Sequence, residues 1–167
     1  MDVDKEIYLI RHGQSASNAN PSSIITDPSL TELGRQQAST INLNVDLIIC
    51  SSMRRALETL YYSKITGREI LITDMCREKI CGMADFKLFE LREPELDQDF
   101  NSRMSELARG LLNTNYKKIG VVCHGCVIAA LTGSYLNNAE MIKADLITIE
   151  MIANGRVIPI ICCNSNW

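Results

Sequence analysis

Short apolar runs alternate along the chain with segments whose apolar residues recur at helical spacing. Four runs have the length of strands, at residues 7–10, 46–50, 69–73 and 119–123. Continuous apolar runs of this kind are typical of strands that are covered on both faces. The pattern therefore predicts a mostly parallel sheet.

The segments between these runs carry helix signals. Apolar residues recur every three or four positions over 53–60 and 100–111, and residues 127–136 are apolar nearly all round, as in a buried helix. Thr31 before Glu32 predicts a helix start, because a threonine hydroxyl can cap a free backbone amide. We expect a three-layer α/β/α fold.

Near the C-terminus, the apolar runs 147–152 and 157–161 flank Asn154-Gly155. Asn-Gly between apolar runs is a strong hairpin signal. The pattern predicts a C-terminal antiparallel hairpin at the edge of the sheet. Because the sequence has no repeat, low-complexity run or Pro/Gly-rich linker, we expect a single domain over residues 1–167.

Composition is ordinary for a globular protein, with 46% apolar and 22% charged residues. The net charge of −3, without a dense basic cluster, argues against a nucleic-acid partner. The acidic first residues, followed by four apolar ones, do not resemble a signal peptide or a membrane span, so we expect a cytoplasmic protein with no membrane partner. Seven irregularly spaced cysteines suggest reduced, mostly buried thiols. The sequence leaves the oligomeric state open.

Basic side chains stand where three predicted strands end. Arg11 and His12 leave the first strand, Arg54 and Arg55 begin the helix after the second, and His124 leaves a later strand. The carboxyl ends of parallel strands meet at one edge of a sheet, so these side chains should share a pocket. Guanidinium groups and imidazoles around one cavity favour phosphate.

Phosphoryl transfer also needs a nucleophile and an acid for the leaving oxygen. A neutral imidazole can be the nucleophile, although the pattern alone does not decide between His12 and His124. Glu78, in the loop after the 69–73 strand, is the carboxylate best placed to be the acid.

Several blocks of the sequence resemble those of the histidine phosphatase superfamily, the phosphoglycerate-mutase-like fold. They occur in family order from residue 7 to about residue 131, and one block alone would be weak. They are Arg11-His12-Gly13-Gln14-Ser15 with Asn18, Leu30-Thr31-Glu32-Leu33-Gly34 with Gln37-Ala38, Ser51-Ser52-Met53-Arg54-Arg55-Ala56 with Glu58-Thr59, Arg77-Glu78 with Gly82, and His124-Gly125.

The resemblance implies a phosphatase that forms phosphohistidine on His12. Glu78 would donate a proton to the leaving group and later act as general base, and Arg55 rather than Arg54 would face the phosphate. No metal or cofactor is implied, and the substrate would be a phosphomonoester, either a phosphorylated small molecule or a phosphoprotein. The implied phosphate contacts are Arg11, Asn18, Arg55, His124 and Gly125.

Other functions remain open at this point. A phosphoglycerate mutase would share the motifs, and so would a non-catalytic phosphate-binding protein without a working acid. A zinc site would use the thiolates of Cys123 and Cys126 with Cys76 and Cys81. A cysteine-based phosphatase is disfavoured, since no arginine lies six residues after Cys50, Cys123 or Cys126.

The segment after Glu78 departs from the family pattern. Residues 79–85 lack the aromatic-acidic-glycine ending that many relatives show. From Glu78 to Asp99 the sequence has seven acidic and three basic residues. If these acids formed an exposed rim, they would repel highly anionic substrates such as bisphosphates.

Overall fold

A computed structural model describes residues 5–88, 90 and 93–161. Within them, the five strands are β1 (Glu6–Arg11), β2 (Asn42–Ser51), β3 (Lys64–Thr73), β4 (Lys118–Cys123) and β5 (Met141–Lys143). They form one sheet in the order β3-β2-β4-β1-β5, in which β1 to β4 are parallel and β5 pairs antiparallel with β1. The mostly parallel sheet predicted from the apolar runs is confirmed.

Helices cover both faces of this sheet, which confirms the three-layer prediction. The predicted helices over 53–60 and 100–111 are present, and Thr31 caps a helix by accepting a hydrogen bond from the backbone amide of Gly34. The helices are α1 (Ala16–Ala19), α2 (Glu32–Ser39), α3 (Arg54–Tyr62), α4 (Asp97–Asn113), α5 (Gly125–Thr132) and α6 (Leu146–Ala153). Two short 3-10 turns, Asp74–Cys76 and Met83–Asp85, follow β3.

Two hydrophobic cores lie on opposite faces because successive strand side chains alternate in direction. Leu9 packs with apolar residues of α4, α5 and α6, whereas Ile10 packs on the other face with Ala56 of α3. Both strand residues are fully buried. A central strand must therefore be apolar on both sides, which explains its continuous apolar run.

The predicted C-terminal hairpin is wrong. Residues Leu146–Ala153 form α6, capped at its start by Asp145, and residues 157–161 form no strand. Gly155 has a φ of +92° and ends the helix by donating its N–H to the carbonyl of Ile152 at 2.9 Å. Asn-Gly serves here as a helix end, for which a left-handed glycine is also suited. The antiparallel edge strand is instead β5.

The cysteines are mostly as expected. Cys50, Cys76, Cys123 and Cys126 are free and buried. Cys81 is the exception, because it is disulfide-bonded. Among the described helices, the longest has 17 residues, and none combines the length and apolar character needed to cross a bilayer.

The strand order brings the predicted site together. β4 lies between β1 and β2, so the carboxyl ends of these three strands are neighbours. Arg11 is in register with Cys123, and the N–H of His12 donates to the carbonyl of Cys123 at 3.1 Å. His12 and His124 therefore leave adjacent strands side by side.

Candidate active site

A cavity of about 230 Å³ opens at the carboxyl edge of the sheet. Its lining includes Arg11, His12, Asn18, Arg55 and Glu78, which come from the end of β1, from α1, from α3 and from the loop after β3. The structure thus brings together five of the residues selected from the sequence.

His12 has a defined hydrogen-bond arrangement. Its Nδ1 lies 2.7 Å from the carbonyl oxygen of Gly13, which can only accept, so Nδ1 carries the proton. Its Nε2 is therefore unprotonated, and its lone pair accepts a hydrogen bond from Nε of Arg55 at 3.3 Å. Burial, together with the charges of Arg55 and Arg11, lowers the pKa of His12 well below its ordinary value. The side chain is a neutral imidazole with Nε2 as its basic atom.

The backbone next to His12 is held by close packing. A Cβ on Gly13 would collide with the carbonyl of Gly34, and a Cβ on Gly34 would collide with the backbone of Gln14. The N–H of Gly13 also donates to the hydroxyl of Thr59 at 2.9 Å. These contacts fix the loop that carries His12 against α2 and α3.

His124 is fully buried beside His12, with the two ring centroids 5.1 Å apart. Its Nε2 lies 2.8 Å from the hydroxyl of Ser51, and its Nδ1 is buried with no hydrogen-bond partner among the described residues. Burial is the main cause that lowers its pKa well below the ordinary value, followed by the charge of Arg55. A buried nitrogen without a partner is costly unless a ligand supplies one.

Arg11 is also incompletely satisfied. Its Nη1 donates to the carbonyl of Leu136 at 2.5 Å, while its Nε is buried without a partner in the described part of the chain. Gly125 lies beside it, since a Cβ there would be 3.7 Å from Cζ of Arg11 and 3.8 Å from Oε2 of Glu78. Gly125, at the start of α5, therefore lies against both the guanidinium and the carboxylate.

Of the two adjacent arginines, Arg55 is the one in the cavity. It is 3% exposed, and its Nη1 donates to the carbonyl of Ala84 at 2.8 Å while its Nη2 donates to Oδ1 of Asp85 at 3.1 Å. The Arg54 side chain is 63% exposed and pairs at 3.9 Å with Glu58. The structure thus separates a pocket arginine from a solvent-facing one.

Glu78 lines the same cavity, from the loop after β3. Its Oε1 accepts hydrogen bonds from the backbone amides of Lys79 and Cys126, each at 3.1 Å. Burial raises the pKa of Glu78, and the nearby carboxylate of Asp85 raises it further, against the opposing charges of Arg55 and Arg11. A raised pKa favours a carboxyl that can donate a proton.

The backbone that carries Glu78 is clamped by two arginines. Arg103 of α4 donates to the carbonyls of Met75 and Arg77 at 3.0 and 2.9 Å, and it also pairs with Glu95. Arg77 forms a two-pronged pair with Glu90. The loop after β3 therefore holds a fixed position over the pocket.

Asn18, an implied phosphate contact, also makes local hydrogen bonds. Its Oδ1 accepts from the backbone N–H and the hydroxyl of Ser15 at 3.0 and 2.9 Å, and from Nδ2 of Asn138 at 3.2 Å. It thus stabilises the start of α1, and it also lines the cavity.

The acidic segment does not form a rim of free carboxylates. Four of its seven acids pair with basic side chains that are largely buried: Asp85 with Arg55, Glu90 with Arg77, Glu95 with Arg103, and Asp97 with Lys79. The repulsion of bisphosphates expected from an exposed acidic rim therefore has little structural basis.

The four cysteines of the possible zinc site do not supply four free ligands, because Cys81 is disulfide-bonded and zinc binds thiolates. Burial raises the pKa of Cys76 to about 12 and that of Cys123 well above its ordinary value. Across residues 5–88, 90 and 93–161 no group of three or more potential ligands is arranged around a metal position.

Sequence reasoning gives no role to three residues that touch this site. Ser51 and Thr59 stand in the quoted blocks, but their partners His124 and Gly13 lie 73 and 46 residues away. Asp85 appears only as one acid of a charged segment. Its contact with Arg55 had no signal in the sequence pattern.

Known proteins resemble this chain in sequence and in fold. Residues 7–93 match the family described as "Histidine phosphatase superfamily (branch 1)". A Schizosaccharomyces pombe protein named "Probable phosphatase C1687.21" is 30% identical over 158 residues, covering 78% of this chain and 73% of that protein.

Two solved structures share the fold. A phosphoglycerate mutase from Thermus thermophilus superposes with a TM-score of 0.65 at 20% identity, over 92% of this chain and 96% of that chain. A phosphoserine phosphatase from Entamoeba histolytica, in complex with 3-phosphoglyceric acid, gives a TM-score of 0.57 at 23% identity, over 83% and 89%.

Proposed function

We propose that this chain, which belongs to the histidine phosphatase superfamily, hydrolyses small phosphomonoesters without a metal. The reaction passes through phosphohistidine on His12. The observation that carries this proposal is the state of His12. Gly13 holds the proton on Nδ1, and the lowered pKa keeps the ring neutral, so Nε2 offers a lone pair inside an arginine-lined cavity. A neutral, oriented imidazole is a competent nucleophile at physiological pH.

In the first step, Nε2 of His12 attacks phosphorus and the bond to the leaving oxygen breaks. Glu78 gives its proton to that oxygen, so an alcohol departs and Glu78 becomes a carboxylate. The raised pKa of Glu78 supports this role, because the group starts with a larger protonated fraction. His12 and Glu78 line the same cavity, which supports an acid and a nucleophile acting on one phosphoryl group.

In the second step, a water attacks phosphorus and the bond to Nε2 breaks. The Glu78 carboxylate takes the proton from this water, so the release of phosphate restores both neutral His12 and protonated Glu78. Glu78 can act first as acid and then as base, because the first step leaves it deprotonated and the second step protonates it again.

Charge on the transferred phosphoryl oxygens is offset by Arg11 and Arg55, and neutral His124 donates a hydrogen bond to one of these oxygens. Ser51 accepts the N–H of Met53 at 3.3 Å, and its own hydroxyl hydrogen is then available for Nε2 of His124. In that arrangement Nδ1 of His124 carries a proton that lacks a partner. A phosphoryl oxygen would satisfy it, as well as the buried Nε of Arg11.

The test is turnover of an aryl phosphate in the presence of EDTA. We expect activity in wild type and in Arg54→Ala, and loss of activity in His12→Ala. Quenching the reaction with labelled substrate should give an acid-labile phosphoryl group that His12→Ala lacks.

Other outcomes identify the alternatives. Phosphate binding without turnover in wild type would indicate a non-catalytic member of the family. Dependence on a bisphosphorylated primer, with interconversion of two phosphoglycerates, would indicate a mutase. Loss of activity in EDTA, restored by a metal, would contradict metal independence.

A further inference from the structure

We infer that Asp85 is a positioning residue of this site, which holds the guanidinium of Arg55 against His12 and keeps an unfavourable negative charge beside Glu78. The inference rests on the proposed function, because it gives Arg55 and Glu78 their reaction roles. Asp85 lies in the segment where the sequence departs from the family pattern. Its contacts are therefore a feature of this chain at a position where the family motif is missing.

The carboxylate of Asp85 joins a loop to a helix. Its Oδ1 lies 3.1 Å from Nη2 of Arg55, and its Oδ2 accepts the backbone N–H groups of Cys81 and Gly82 at 3.1 and 3.2 Å. The two side chains of the ion pair are 4% and 14% exposed. A pair this sheltered is weakly screened by solvent, so it constrains both partners.

This contact sets the direction of the Arg55 side chain. Nη1 and Nη2 are both bound by residues 84 and 85, and the remaining Nε–H donates to Nε2 of His12. Because a guanidinium is planar and rigid, fixing two of its nitrogens also fixes the third. Asp85 thereby determines where Arg55 meets the nucleophile.

Phosphate binding alone does not account for Asp85, because a carboxylate in an anion-binding cavity repels the ligand. The groups that face Glu78 are Asp85 from the 3-10 turn, Arg55 from α3, Arg11 from β1 and the buried thiol of Cys123 from β4. Asp85 is the one anion among these groups. Removing its charge leaves burial to oppose the two arginines without the help of a second negative charge, which favours the ionised carboxylate of Glu78.

The experiment compares Asp85→Asn, Asp85→Glu and Asp85→Ala in the full chain. Asp46→Asn is the matched control, because Asp46 also pairs with an arginine, Arg68 at 3.6 Å, and accepts a backbone amide, that of Lys118 at 2.9 Å, away from the cavity. The substrate is an alkyl phosphate, whose poor leaving group depends on the acid. The readouts are the pH profile of kcat and the split between kcat and KM.

We expect Asp85→Asn to lower kcat about tenfold or more, since small misplacements in an active site have effects of this order. KM should change less, because Arg55 keeps its charge. The alkaline limb of the kcat profile should move to lower pH by roughly half a unit or more. Asp85→Glu should recover part of kcat relative to Asp85→Ala, and Asp46→Asn should match wild type.

A second measurement does not depend on turnover. The chain has two histidines, so ¹⁵N-histidine NMR resolves their ring nitrogens. In Asp85→Asn the Nε2 resonance of His12 should shift, because the Arg55 donor moves, whereas Asp46→Asn should leave it unchanged. The inference is overturned if Asp85→Asn leaves the Nε2 resonance of His12 unchanged and, provided that wild type turns over, also leaves the alkaline limb of the kcat profile at its wild-type pH. If wild type forms no phosphohistidine, the proposed function fails, and the NMR result still decides the role of Asp85.

Discussion

The Nε–H of Arg55 donates to Nε2 of His12, 3.3 Å away, the same nitrogen that would attack phosphorus. Burial is the main cause that lowers the pKa of His12, and the charge of Arg55 lowers it further. Burial and this contact together keep the nucleophile unprotonated while no substrate is bound. When phosphate arrives, the guanidinium has a stronger acceptor in the phosphoryl oxygens.

Arg55→Lys tests whether this geometry matters beyond charge. Lysine keeps the positive charge but cannot bind residues 84 and 85 and His12 from one rigid plane. We expect kcat/KM for an aryl phosphate to fall about a hundredfold, as for loss of one oxyanion donor. Arg54→Lys is the control and should stay within about twofold, because surface substitutions have small effects. Equal activities of the two variants would contradict the role of Arg55.

Glu78→Gln should slow the reaction of a substrate more when its leaving group needs a proton in order to depart. Gln cannot donate its amide hydrogen as an acid, so kcat on an alkyl phosphate should fall by about 10² to 10⁴. With nitrophenyl phosphate, whose leaving group is already a stable anion, the rate at which His12 is phosphorylated, seen as a burst of nitrophenolate, should fall much less. The later hydrolysis of phosphohistidine needs Glu78 as base and should be slowed for both substrates. Equal losses in the phosphorylation rate for the two substrates would contradict the acid role.

Much of the fold could be predicted because the signals are local. Apolar runs identified four strands, helical spacing identified α3 and α4, and the nearly continuous apolar segment 127–136 identified α5, since each of these patterns extends over a few consecutive residues. Asn154-Gly155 misled because the same dipeptide suits a hairpin turn and a helix end. Packing of Ile149 and Ile152 in the core selects the helix, and this depends on residues distant in sequence.

The candidate site likewise has residues that could be predicted from the sequence and partners that could not. Arg11, His12 and His124 could be placed because parallel strands meet at one edge of a sheet. The partners that orient them, Ser51 for His124 and Asp85 for Arg55, could not be, because these pairs lie 73 and 30 residues apart and depend on loop conformation. The exposed acidic rim expected from the charge count was also wrong, because a count of acidic residues does not show which of them form ion pairs with basic side chains.

Gly34→Ala should destabilise the protein strongly, because a Cβ there collides with the backbone of Gln14, which cannot move without displacing the His12 loop. We expect a loss of about 2 kcal/mol or more in the free energy of unfolding. Gly110→Ala in α4 is the matched control, since a Cβ there meets nothing within 4 Å. It should raise stability by about 0.5 kcal/mol through helix propensity. Urea denaturation of both variants measures the difference, and a neutral Gly34→Ala would contradict the close packing.

Stability should fall as pH falls through the ordinary histidine range. The folded-state pKa values of His12 and His124 lie well below 6.5, so between those values and 6.5 the unfolded chain binds protons that the folded chain does not. Each such proton lowers the free energy of unfolding by about 1.4 kcal/mol per pH unit. Glu78 has the opposite sign, because its raised pKa lets the folded state keep a proton that the unfolded state releases.

Urea denaturation between pH 7.5 and 4.5, the ordinary pKa of a glutamate, separates these contributions. His124→Gln removes one buried imidazole and can still hydrogen-bond Ser51, so its stability should depend less steeply on pH than that of wild type. Glu78→Gln removes the opposing group, so its dependence should be steeper. The slope is the quantity compared, since either substitution can change stability at every pH. If all three slopes were equal, His124 would be protonated in the folded protein as readily as in the unfolded chain, and it could not be the neutral donor that the proposed mechanism requires.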